Sequence, residues 1–364
     1  MTHNRPGAFW VYVGTYTAKG SQGVYLFRFD AASGMLAPVG LAAELPNPTF
    51  LALHPNGRWL YAVGEVRDDT GRHDGRVNAF AIARDTGRLT HLNGQSSGGA
   101  GPCHLSLDHA GQVVLAANYA AGSVAMLPVA ADGRLGAATD VVQHHGASVQ
   151  PERQAGPHAH SITPSPDDRF AVVADLGLDR LMVYRLDVAA GRLRPHDPPW
   201  AAVAPGAGPR HVAFHPRRPL LYLITELGNT VIAFDWDAAR GALRERQTIS
   251  ALPAGFAGTS YAAEVQADTT GQFLYASNRG HDSLAVFRID ARTGLLEPAG
   301  HQPALGKWPR HFAMAPGGQW LLVANQDSDA IVVFRRDLVS GHLAPTGQTA
   351  AVSMPVCLRF VPVA

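Results

Sequence analysis

Short apolar stretches of about four to eight residues, each closed by Gly, Pro or Asp, follow one another along the chain, and no apolar pattern keeps a helical spacing for three turns. This predicts β-strands and very little helix. The clearest phrase, PRHFAMAPGGQWLLVANQDSDAIVVFRRD from Pro309 to Asp337, reads as three strands: A over Phe312–Ala315, B over Trp320–Ala324 and C over Ala330–Arg335, with Gly341-His342-Leu343 opening strand D. Five related phrases precede it, at NPTFLALHPNGRWLYAVGE, PCHLSLDHAGQVVLAANY, PHAHSITPSPDDRFAVVAD, PRHVAFHPRRPLLYLITE and AAEVQADTTGQFLYASNRG.

A Gly-x-Leu step punctuates these phrases at Gly34, Gly87, Gly133, Gly191, Gly241, Gly294 and Gly341, at intervals of 53, 46, 58, 50, 53 and 47 residues. Seven copies at this period indicate a repeat architecture built from one four-stranded unit. The seventh copy is split: the chain opens on strands B and C (Phe9–Thr15, Gly23–Asp30), while the C-terminal CLRFVPV supplies a strand A with nothing after it. Joining the two ends would close a ring and remove its open sheet edges. The expected fold is therefore all-β, a seven-bladed β-propeller of four antiparallel strands per blade, as a single domain over residues 1–364.

The 38 Gly and 26 Pro among 364 residues fit many turns. Thirty Lys and Arg against 29 Asp and Glu give a net charge of +1 with no basic run, which argues against nucleic acid or an anionic membrane as partner and for a small molecule. No apolar run approaches membrane-spanning length, and Met1 to Tyr16 lacks the basic-then-apolar pattern of a leader, so a cytoplasmic protein is expected, as a monomer or small homo-oligomer. Cys103 and Cys357 form no CxxC pair and are expected as buried thiols.

In an antiparallel blade the D-to-A connection and the B-to-C loop lie on one face. At the start of strand A the first column there reads Phe50, His104, His160, His211, Glu264, His311 and Cys357, preceded by Thr49, Cys103, Ala159, Arg210, Ala263, Arg310 and Val356. Fifteen positions on, the B-to-C loop reads Glu65, Tyr119, Asp175, Glu226, Arg279 and Gln326. Arginines, histidines and carboxylates thus converge on one mouth, where a polar pocket is expected. His158 and His160, two apart on a strand, can both face it. His54 and His215, each followed by Pro, belong to turns on the opposite face. A metal held by His104, His160, His211, His311 and Glu264 is conceivable, but no close ligand pair repeats, so neither metal nor other cofactor is expected. There is also no GxSxG, HExxH or Walker motif.

The phrases VGTYT, GPCHLSLD, ANYAAGSVAMLP, PHAH, GPRHVAFHP, ITELGNTV and SNRGHDSLAVF together resemble the seven-bladed propeller lactonases. That resemblance implies hydrolysis of 6-phospho-D-glucono-1,5-lactone in the oxidative pentose phosphate route, or, as in a fungal branch, interconversion of a carboxymuconate and its lactone. It also implies an active-site set of His158 or His160, Arg210, Glu226 and Arg279. The corresponding roles are Glu226 as base or its orienter, Arg210 and Arg279 as donors to the carbonyl oxygen or an anionic group, and a histidine as proton shuttle. His104, His211, Glu264, His281, Arg310 and His311 are expected to bind an anionic lactone, with Lys307 beside them. A non-enzymatic propeller that docks a protein is the alternative, and the polar mouth speaks against it.

Overall fold

The computed structural model describes residues 7–65 and 75–364, and their strands form seven four-stranded antiparallel sheets. Each sheet is one blade, with strand A innermost and B, C and D following outward in chain order. Blade 1 is the composite: strand A is Pro355–Pro362, paired with strand B at Ala8–Thr15, then Gly23–Asp30 and Leu36–Glu44. The A strands of blades 2 to 7 are Leu51–Leu53, Pro102–Leu107, Ala159–Pro164, Pro209–Phe214, Tyr261–Ala267 and Pro309–Met314. Contacts run from blade to blade, including blade 7 to blade 1 and blade 1 to blade 2, so the ring is closed. Among the described residues helix is confined to short turns, the α-helical one being Pro151–Gln154.

Strand A of blade 7 begins at Pro309, three residues before the sequence-based start, because Pro309 and His311 already pair with strand B around a bulge. Its strand D begins at Leu343, since Gly341 has φ 75° and belongs to the turn.

The Gly-x-Leu step has a packing cause. In six of the seven steps the glycine sits against a strand-B side chain of the preceding blade: Trp320 at Gly34, Trp10 at Gly87, Trp59 at Gly133, Phe170 at Gly241, Leu220 at Gly294 and Phe273 at Gly341. A Cβ at Gly133 would lie 2.5 Å from the Trp59 ring. Tyrosines from strand B complete the joint by donating to the same glycines' carbonyls: Tyr12 to Gly87 at 2.7 Å, Tyr61 to Gly133 at 3.1 Å, Tyr222 to Gly294 at 2.8 Å and Tyr275 to Gly341 at 2.6 Å. The repeat visible in the sequence is thus the blade-to-blade contact itself. On the opposite face His54 and His215 act as turn residues, each bridging to the next blade through Nε2 to a glycine carbonyl (Gly111, Gly271).

Apolar cores fill the spaces between blades, as where Phe170 and Val172 of blade 4 pack with Leu221, Leu223 and Phe234 of blade 5. Burying each such side chain contributes about 1.5–3 kcal/mol.

Deleting Met354–Ala364 removes strand A of blade 1 and should abolish cooperative unfolding; a truncated chain with an unchanged, sharp thermal transition would refute closure by this strand. Gly241→Val, which combines φ 60° with a clash against Phe170, should lower the melting temperature by several degrees or prevent folding.

Candidate active site

At the start of strand A one residue is extra relative to strand B. The register shifts between Pro102 and His104, Ala159 and Ser161, Pro209 and His211, and Pro309 and His311, leaving Cys103, His160, Arg210 and Arg310 as the bulged residues. A bulge breaks the alternation of the pleat and re-aims a side chain. The residues that follow, His104, His211 and His311, point instead into the central channel.

A repeated backbone bond fixes which loop residues are equivalent. The amides of Tyr16, Glu65, Tyr119, Leu176, Glu226 and Gln326 donate to the carbonyls of Met354, Asn47, Gly101, His158, Gly208 and Trp308. Blade 4 is therefore shifted by one against the sequence columns: Leu176, not Asp175, is its rim residue, and His160 is equivalent to Arg210 rather than to His211. The reason is PHAHS, in which Ala159 stands where other blades have the proline, so that counting from the histidine slips by one. Asp175 is buried below the rim, accepting from the amides of His158, Gly177 and Leu178 and pairing with His144 Nδ1 at 2.6 Å.

Rim and bulge together enclose a cavity of about 380 Å³ lined by Tyr16, Glu65, Cys103, Tyr119, Arg153, His160, Glu226, Tyr261, Arg279, Trp308 and Arg310. At its wall Glu226, only 5% exposed, is held by three guanidinium groups: Arg153 Nη2 lies 2.6 Å from Oε1, and Arg279 Nη2 and Arg210 Nε lie 2.8 and 3.0 Å from Oε2. Burial opposes its charge, yet Arg279, His160, Arg210 and Arg153 hold the carboxyl well below the usual carboxylate range. Glu226 is thus a fixed anion. Arg210 does not line the cavity; it stands behind Glu226, its Nη1 donating to the Ala263 carbonyl at 2.8 Å and lying 3.2 Å from His211 Nε2. Arg279 does line it, anchored to the carbonyls of Tyr261 and Ala262, with the Trp308 ring 5.5 Å away.

Of the two candidate histidines, His160 lines the cavity, its Nε2 3.7 Å from Glu226 Oε2 and its Nδ1 3.6 Å from Cys103 Sγ. Burial and then the charge of Arg210 keep its pKa well below the ordinary imidazole value, so it is neutral at pH 7. His158 is turned aside, stacked on Tyr119 with ring centroids 4.6 Å apart and Nδ1 2.9 Å from the Tyr119 carbonyl oxygen. Burial pushes the Cys103 thiol up to about 12. Arg310 lies over the Tyr16 ring at 5.3 Å and has no carboxylate at ion-pair distance among the described residues.

The remaining expected binders lie outside this cavity. His104, His211, Glu264 and His311 form a buried layer beneath it: His211 Nδ1 is 2.9 Å from Glu264 Oε2, His311 Nε2 is 3.1 Å from Arg359 Nη1, and Phe50 meets His104, His211 and His311 with centroids 4.3, 5.7 and 6.0 Å apart. His281 is tied to Ser283 Oγ at 2.7 Å, and the exposed Lys307 does not line the cavity. Among the described residues no group of three or more His, Cys, Asp and Glu has the geometry to hold a metal ion.

Four lining residues went unread in the sequence. Tyr16 is blade 1's rim residue, hidden by the split repeat. Tyr261 and Trp308 occupy the position of Gly101 and Gly208; Trp308 keeps the left-handed conformation of that position, at φ 62°, a strained state for a bulky residue. Arg153 comes from the short helix Pro151–Gln154 in the connection between blades 3 and 4. The long interval of 58 residues from Gly133 to Gly191 was the one signal of this insertion.

The chain matches the family model described as "Lactonase, 7-bladed beta-propeller" over residues 10–360. It is 38% identical to the 6-phosphogluconolactonase of Bacillus subtilis (strain 168) over 351 residues, 96% of this chain and 97% of that protein. It is 33% identical to a 6-phosphogluconolactonase of Formosa agariphila over 313 residues, 84% of this chain and 86% of that protein. Among solved structures, the periplasmic gluconolactonase of Pseudomonas aeruginosa is similar with a TM-score of 0.92 and 37% identity, covering 98% of this chain and 100% of that one.

The buried imidazoles make stability depend on acidity. Burial, followed by neighbouring charges, lowers the proton affinity of His104, His160 and His211 well below the ordinary 6.5 and that of His311 to about 3. Below pH 6.5 the unfolded chain binds protons that the folded protein does not, so stability is full above about 6.5 and falls as the pH drops. Urea unfolding between pH 7 and 5 should show this slope, and His104→Asn should reduce it by about one proton; identical slopes would contradict the assignment.

Proposed function

Because the chain belongs to the seven-bladed β-propeller lactonase family, we propose that it hydrolyses 6-phospho-D-glucono-1,5-lactone to 6-phospho-D-gluconate, in the oxidative pentose phosphate route. The observation that carries this reading is the charge of the cavity. Three guanidinium groups, from Arg153, Arg279 and Arg310, line it beside two carboxylates, Glu65 and Glu226, with Arg210 behind Glu226, and among the described residues no carboxylate stands at ion-pair distance from Arg310. An anion is what such a cavity accepts, and a guanidinium fork pairs well with a phosphate.

In the proposed reaction Arg279 and Arg153 donate to the lactone carbonyl oxygen as it becomes an oxyanion. Glu226 orients both guanidiniums and keeps their charge compensated before substrate arrives, and Arg210 positions Glu226 from behind. His160, whose imidazole lines the cavity, relays the proton required by the departing ring oxygen. A water-poor, preorganised donor set acts most strongly where charge develops in the transition state. Two free thiols, Cys103 and Cys357, and the phosphorylated substrate support a cytoplasmic enzyme. The second reading, an unphosphorylated gluconolactone as substrate, is favoured by the likeness to the Pseudomonas aeruginosa protein.

Rates for phosphorylated and unphosphorylated gluconolactone separate the two. Arg310→Ala should raise KM for the phosphorylated lactone by about 10- to 100-fold, as expected for losing a charged hydrogen bond, and leave the unphosphorylated one nearly unchanged. Preference for the unphosphorylated lactone with no effect of Arg310→Ala would favour the second reading. Arg279→Ala should lower kcat by about 10²–10³-fold; a loss below about threefold, with a normal melting curve, is incompatible with its role as an oxyanion donor.

A further inference from the structure

Lactone opening needs a group that takes a proton from water, and most groups lining the cavity are unsuited to it. Glu226 is occupied on both oxygens by guanidinium groups and held far into its ionised form. His160 is neutral but, buried beside Arg210, has little affinity for a proton. The Cys103 thiol keeps its own proton. Glu65 differs from all three. It lines the cavity half-buried; Oε2 accepts one hydrogen bond, from Thr49 Oγ1 at 2.9 Å, and no guanidinium stands at ion-pair distance among the described residues. Oε1 carries no hydrogen bond within the protein among those residues.

Its position is fixed by the fold. The Glu65 amide donates to the Asn47 carbonyl at 3.1 Å, and the Glu226 amide makes the equivalent bond to Gly208 at 2.7 Å, so the two carboxylates hold the same rim position in blades 2 and 5. Blades three steps apart in a ring of seven lie across the mouth from each other. A substrate carbonyl directed at Arg279 and Arg153 on the Glu226 side therefore presents its other face toward Glu65. Carboxylates placed in such unequal surroundings divide the labour of acid–base chemistry.

We propose that Glu65 is the catalytic base that activates the attacking water, oriented by the Thr49 hydroxyl. This rests on the lactonase reading above. As the water oxygen bonds to the lactone carbonyl carbon, one water proton passes to Glu65 Oε1 and the carbonyl π pair moves onto oxygen, facing the guanidiniums. The oxyanion then collapses, the bond from carbonyl carbon to ring oxygen breaks with its electron pair leaving on the ring oxygen, and the proton taken up by Glu65 reaches that oxygen with His160 as the relay. Lactone and water become the hydroxy acid, with no change of oxidation state.

Hydrolysis of 6-phosphogluconolactone and gluconolactone, measured above the buffer rate from pH 5 to 9, tests this. Wild type should show an acid limb in kcat/KM. Glu65→Gln should lower kcat by about 10²-fold or more with KM little changed, and should lose that limb, leaving a rate that rises with hydroxide. With hydroxylamine, a nucleophile that needs no deprotonation, Glu65→Gln should form the hydroxamate at close to the wild-type rate. Thr49→Val removes the bond that orients the Glu65 carboxylate and should lower kcat several-fold with KM little changed; this variant serves if Glu65→Gln does not fold. Active wild type beside a Glu65→Gln or Thr49→Val variant with unaltered rate and profile overturns the role of Glu65 alone, and loss of the limb in Glu226→Gln would transfer the role to Glu226. Wild type that opens neither lactone overturns the lactonase reading together with this one.

Discussion

An antiparallel pair that carries one residue too many on one strand must leave that residue outside the regular pleat, and here this constraint acts on the innermost strand of blade after blade. Of the bulged side chains Cys103, His160 and Arg310 line the cavity and Arg210 stands behind Glu226, while His104, His211 and His311, each the next residue along, lie in the layer beneath. One local irregularity, repeated around a ring, thereby sorts neighbouring residues into two layers of different chemistry. Arg310 lines the cavity; His311, its neighbour in sequence, is buried against Arg359.

The layers depend on each other electrically. Glu226 is tolerated at 5% exposure because three guanidiniums surround it, and Arg210 in turn directs its Nη1 to the Ala263 carbonyl and to His211. A buried charge left without such partners costs several kcal/mol. His211 continues the chain of contacts to Glu264. The channel layer that the sequence reading took for binding groups thus lies beneath the cavity and joins its wall through the contact of Arg210 with His211.

How far the sequence could be read follows from what each signal measures. The Gly-x-Leu steps were legible because each reports a hard steric contact, a glycine under a neighbouring side chain, and such contacts admit few substitutions. The loop carrying Glu226 and Arg279 was legible because a fixed count from strand A survives wherever the bulge is present. The same count slipped in PHAHS, where two histidines competed for one column, so Asp175 was placed on the rim instead of beneath it. Arg153 could not be found by any column, since an insertion has no counterpart in the other blades. Tyr261 and Trp308 were missed because aromatic residues read as core when periodicity is the only guide, and nothing in a sequence shows that Trp308 takes a backbone conformation usually left to glycine.

Packed rings from blades 2, 3, 5 and 7 block the central passage, with Phe50 in contact with His104, His211 and His311. The cleft is therefore a dead end, and traffic through it is two-way over a single threshold. A lactone leaves as an acid with one more negative charge than it brought. For the proposed phosphorylated lactone, a field that hastens capture of the incoming anion must then detain the outgoing one, so turnover in such a vessel is bounded by how readily its occupant departs as well as by how fast the ring opens.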